Sequence, residues 1–81
     1  MTTTSFKTAD LYLAAAVKLI LQVEPTYENK NGRIVLFCFT ASDQLYRAIN
    51  SYNSGTSLNA FEYAQCIKHL RGEMHARKGT K

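Results

Sequence analysis

Between Leu11 and Leu21 every position except Lys18 is apolar. Such a run leaves no polar stripe to face water, so it predicts a helix covered on more than one side. Ala14, Ala15 and Ala16 raise its helix propensity and keep its flanks slim, which lets neighbouring elements pack close. Taken back to its start signal, the stretch reads Phe6 to Leu21. Thr8 is its cap, offering a side-chain oxygen to the free N–H groups, and Asp10 lies in the first turn at the positive end of the dipole. Lys18 can lay its stem along the apolar surface and keep its ammonium in water. The run is shorter than the about 20 predominantly apolar residues a bilayer span needs, so it predicts a core helix and no membrane anchor.

After this helix the period changes. Val23, Pro25 and Tyr27 alternate with Glu24, Thr26 and Glu28, the pattern of a half-exposed strand, and Pro25 assigns it to a sheet edge or a bulge because it cannot donate to a ladder. Asn29, Lys30, Asn31 and Gly32 form a polar turn, and Arg33 to Phe39 follows as an almost unbroken apolar run. Together they predict a hairpin whose second strand wants cover on both faces. Thr40 and Ser42 compete to cap the next helix, which has Leu45, Ala48, Ile49 and Tyr52 on its buried face. Gly55 supplies the positive φ of a helix terminus, and Ser57 is the expected cap of the last helix. That helix, from about Leu58 to Ala76, carries a docking stripe of Ala60, Tyr63, Ile67, Leu70 and Met74, with Gly72 as its weak point.

The predicted fold is therefore α+β, in the order helix-strand-strand-helix-helix: an antiparallel β-hairpin packed on a central apolar helix and two further helices. Residues 1–81 form a single domain, with flexible tails at about 1–5 and 77–81. Two strands alone make a poor sheet, and covering both faces of the second asks for more than one helical layer. This points to a homodimer or a protein partner, with Val35, Phe37 and Phe39 as candidate interface residues; burial of Phe37 and Phe39 within the chain decides the matter.

Composition adds a preferred partner chemistry. The 81 residues hold ten Lys and Arg against six Asp and Glu, a net charge of +4 with a pI near 9.3, which favours polyanions and nucleic acid first. Lys68, Arg71, His75 and Lys78 recur at helical spacing beside the docking stripe, and Arg77 and Lys81 extend the set. The row either tracks phosphates or is a solvated face with cations at the dipole's negative end. With no secretory signal read at the start and two Cys without a disulfide pattern, the expected compartment is a reducing cytoplasm.

Chemistry beyond charge is sparse. Cys66 and His69 are two candidate ligands that do not close a zinc site, with Cys38 and His75 distant in sequence. There is no phosphate-cradling glycine loop, no nucleophile elbow and no paired carboxylates. The expectation is a non-enzymatic domain without cofactor, metal or small-molecule substrate, and without a concave pocket of convergent polar groups.

The opening FKTADLYLAA, from Phe6 to Ala15, and the strand Phe37-Cys38-Phe39 resemble small uncharacterised domains of bacteria and phages. Those domains begin with Phe or Tyr, then Lys or Arg, Thr, Ser or Ala, Asp, Leu, Tyr, Leu and Ala-Ala. The resemblance extends over about Phe6 to Arg71. It implies the same element order and a phage or mobile-element context near nucleic acid, and it implies no activity, catalytic residue or cofactor. The leading expectation is a self-associating or partner-binding domain that binds nucleic acid weakly through its basic last helix. The alternative is a pure protein-interaction or structural module.

Overall fold

The computed structural model describes residues 5–77. Its elements are β1 (Ser5–Thr8), α1 (Leu11–Leu21), β2 (Thr26–Lys30), β3 (Ile34–Thr40), α2 (Asp43–Asn53) and α3 (Ala60–Arg77). The α+β class, the hairpin and the three helices follow the hydrophobic pattern; the first strand does not. Residues 1–4 and 78–81 of the expected tails lie outside the described residues, whereas Ser5 and Arg77 belong to β1 and α3.

Phe6, expected near the start of the central helix, lies instead in a strand that pairs antiparallel with β3, facing Phe39, while Thr8 faces Phe37. Phe and Thr suit a pleated surface better than a helix, and β3 offers this segment a row of unpaired backbone groups. The helix then starts later. Asp10, not Thr8, is its N-cap, accepting from the backbone N–H of Tyr12 at 3.0 Å and of Leu13 at 3.2 Å. Thr8 Oγ1 accepts the Asp10 N–H at 3.0 Å, so the two residues act in series at the turn from strand to helix.

The third strand changes the sheet. Its order β1-β3-β2 puts β3 in the centre and leaves β2 at an edge. Val23 and Pro25 precede β2, with Pro25 buried in the connection. The hairpin turn places Asn31 at φ 59° and Gly32 at φ 68°, and Arg33 N–H donates to the Lys30 carbonyl at 3.1 Å. Two successive positive φ values match the twist of the flanking strands.

All three helices join one core. Ala14, Ala15 and Val17 of α1 meet Phe37 and Phe39 of β3, Leu45 of α2 and Leu70 of α3. The four consecutive residues Ala14 to Val17 have no exposed surface, so α1 is enclosed all round at its middle and the alanines are where α2 and α3 close over it. Ser42 caps α2 by accepting the Leu45 N–H at 3.1 Å. Asn59, not Ser57, caps α3, accepting the Glu62 N–H at 2.9 Å; of these two residues only Asn59 stands directly before the first helical position.

Val35, Phe37 and Phe39 are only 3%, 0% and 5% exposed. Helix residues Ala14, Ala15, Val17, Leu45 and Leu70 pack with Phe37 and Phe39 and Val35 is buried as well, so the three are not open to a partner as the sequence pattern suggests. The face of β3 left to solvent carries Leu36 and Cys38, both half-buried. Across it run Lys7 and Glu28, 2.7 Å apart. Lys7 stands opposite Cys38 on β1 and Glu28 opposite Leu36 on β2. The pair therefore spans the central strand, and its stems shield what a second layer of helices would otherwise cover. The molecule is accordingly flat, with extents of 39 × 38 × 18 Å.

Candidate functional site

α3 is long and only lightly buried. Leu70 is its one fully buried residue, with Tyr63, Cys66, Ile67 and Met74 packed part-buried against the core. Each end is fastened. Near the start, Tyr63 Oη donates to the Tyr12 carbonyl at 2.9 Å, joining α3 to the first turn of α1. Burial, with help from the Tyr52 side chain, pushes the Tyr63 phenol up to about 12. At the other end the Arg77 guanidinium lies 4.0 Å over the Tyr27 ring and pairs with Glu73, while the Asn29 side chain donates to the Arg77 carbonyl. Burial raises the Tyr27 phenol above its ordinary value.

These fastenings sort the predicted site residues. Lys68, Arg71 and His75 are exposed on the outward side of α3, brought together as their spacing implied. Arg77 belongs to the anchor on β2 instead, occupied by Glu73 and Tyr27. Lys78 and Lys81 lie outside the described residues.

The carboxylates are placed so that none of them neutralises the row. Glu28 is held by Lys7, Glu24 by Lys18 and by His69 Nε2 at 3.5 Å, and Glu73 by Arg77. The Lys18 hydrogen bond holds the Glu24 carboxyl below its usual range, as the Lys7 bond does for Glu28. Asp10 and Asp43 stand at the starts of α1 and α2, and Glu62 in the first turn of α3, where the helix dipole stabilises them. Among the described residues no ion pair joins Lys68, Arg71 or His75 to an acid.

Gly72 lies in this exposed face, one turn after Lys68 and one turn before His75, on the side of α3 turned away from Leu70. A glycine inside a helix costs roughly 1 kcal/mol relative to alanine. A Cβ built there meets nothing within 4 Å, so packing among the described residues gives no reason for its absence. Gln65 and Phe61 continue the same seam toward the start of the helix, and Phe61 is 71% exposed. Sequence spacing marks Gly72 as a weak point and passes over Gln65 and Phe61, because only the outward direction of each side chain groups them with the cations.

Other groupings carry less. Cys66 lines a small depression with Lys18, Glu24, Gln65 and His69. Burial pushes its thiol up, the reverse of what a nucleophile needs. Cys38 and Cys66 are free thiols. Among the described residues no cluster of three or more His, Cys, Asp or Glu side chains is placed to hold a metal.

Contrary to expectation, a cavity of about 490 Å³ opens where the strands end, lined by Ser5, Glu24, Thr26, Thr40, Ser42 and Gln44 together with the apolar Leu21, Val23, Cys38 and Phe39. It forms because β1 adds a third strand end to the two of the hairpin. The carboxylate in its lining, Glu24, is drawn to Lys18 and His69. Among the described residues no helix is long and apolar enough to cross a membrane. No family model, no curated protein and no solved structure matches the chain.

Proposed function

We propose that the chain is a non-enzymatic binding module of the cytoplasm that presents the outward face of α3 to nucleic acid. One observation carries this reading: every carboxylate is committed to an ion pair or a helix start, while Lys68, Arg71 and His75 stand exposed and unpaired among the described residues. Two cations and an imidazole in a row suit phosphates and carry no sequence information, so the affinity is weak and strongly salt-dependent. The resemblance to phage and bacterial domains adds a mobile-element context to the proposal.

Fluorescence anisotropy with labelled DNA and RNA at two salt concentrations tests it. Replacing Lys68 and Arg71 by Ala lowers the slope of log affinity against log salt by about 0.7–0.9 for each phosphate that is no longer neutralised. No binding at low salt removes the reading. A second reading, a module that binds only protein, is favoured by Phe61, which is 71% exposed. A second copy or another protein would meet that ring or the Leu36 and Cys38 face of the sheet.

A further inference from the structure

We infer that the nucleic acid is double-stranded B-form DNA and that α3 lies against it with Gly72 at the point of closest approach. This rests on the reading of α3 as a nucleic-acid surface and goes beyond it in naming the substrate class and the contact geometry.

Gly72 carries the inference. It sits between Lys68 and His75, directly outward, where a side chain would have open space. A helical glycine with no neighbour to accommodate inside the fold fits a surface that another backbone must reach closely. With Lys68 and His75 one turn to either side and Arg71 on the flank, the missing side chain leaves a low point between two cations and an imidazole. A phosphodiester backbone matches it in charge and shape, and the missing Cβ lets the helix axis settle nearer the duplex.

Two further observations select duplex DNA. Single strands are held by stacking bases on aromatic rings. Among the described residues the open sheet face, with Lys7, Glu28, Ile34, Leu36 and Cys38, has no ring, and the outward face of α3 has one, Phe61, two turns before Lys68, where a run of stacked bases needs several. Tyr27 and Phe37 stack edge-on with each other on the covered face. α3 itself is an 18-residue helix fastened at both ends, so it meets its partner as a straight rod. A B-form major groove, about 12 Å wide, admits such a rod. The major groove of an RNA duplex is too deep and narrow for it.

The test uses the full chain with a labelled DNA duplex of about 20 base pairs, the RNA duplex of the same sequence and the single DNA strand, at low salt. Gly72→Ala and Gly72→Leu are measured for thermal unfolding as well as binding. Both raise the unfolding midpoint, because each adds helix propensity at an open position. DNA duplex binds tightest, and Gly72→Leu weakens it about tenfold or more while Gly72→Ala weakens it less, a loss of about 1.4 kcal/mol in the larger case.

Equal or tighter binding of the single strand or the RNA duplex overturns the duplex inference while leaving the nucleic-acid reading intact, as does unchanged DNA affinity in a stabilised Gly72→Leu. Failure of all three nucleic acids to bind removes both. If light scattering then shows a dimer that Gly72→Leu dissociates, this low point receives a helix of a second copy and the DNA assignment is overturned.

Discussion

α1 and α3 divide the work of the domain between them in opposite ways. α1 has 11 residues, four of them in succession with no exposure; α3 has 18 residues and one that is fully buried. The short helix turns most of its surface to the core, with Tyr12 its one exposed residue. The long one docks through a narrow stripe anchored by Leu70 and leaves most of its surface outward. A domain this small can make one surface available only if another element concentrates the burial, and the alanines of α1 do this by letting two helices and a sheet converge on one axis.

The comparison breaks most easily at Leu70. If α3 is held by its stripe, Leu70→Ala leaves a cavity beneath it and destabilises by about 2–5 kcal/mol. For a chain of this length, total stability is on the order of 4–12 kcal/mol, so the variant is partly unfolded on warming. Urea denaturation monitored by far-ultraviolet circular dichroism measures it. A loss under about 1 kcal/mol would mean that the two end fastenings, not the stripe, hold α3.

The complementary probe is Ala15→Leu, which adds volume where α1 has no exposed surface. Overpacking there is expected to cost about 1–3 kcal/mol, read from the same denaturation curves. A leucine introduced at an open site of α3, such as Gly72, has the opposite sign. If Ala15→Leu were neutral, the close approach of helices over the alanines would not be what organises the core.

The two helices were also unequally legible in the sequence. The burial of α1 could be read because ten of the eleven residues from Leu11 to Leu21 are apolar. The stripe and cations of α3 could be read from helical spacing. What could not be read depended on pairing over distance. Phe6 and Thr8 look like the approach to a helix until the unpaired edge of β3 is taken into account, and that edge exists only in the folded chain. The need for a partner on Val35, Phe37 and Phe39 disappeared for the same reason. Arg77 counted as one more cation because sequence spacing does not show Tyr27 beneath it. Gly72 was visible as a defect, and its outward placement between Lys68 and His75 turned it into a candidate contact.

The finest test concerns the joint between the two helices. Tyr63 of α3 donates its phenol to the Tyr12 carbonyl of α1, and burial raises its pKa from 10.0 to about 12. A proton held more firmly in the folded state than in the unfolded one stabilises the fold fully below pH 10. That contribution declines as pH rises through 10 to 12, because the unfolded chain ionises first. Tyr63→Phe removes the donor and leaves the Tyr12 carbonyl to water or an altered partner, at a cost of about 0.5–1.5 kcal/mol near neutral pH. The stabilities of wild type and variant, measured by urea denaturation, are expected to converge as pH rises from 10 to 12, since the wild type loses there what the variant already lacks. Parallel curves over that range would mean that the phenol does not fasten α3 to α1, and that Leu70 and the Arg77 anchor alone hold the outward face in place.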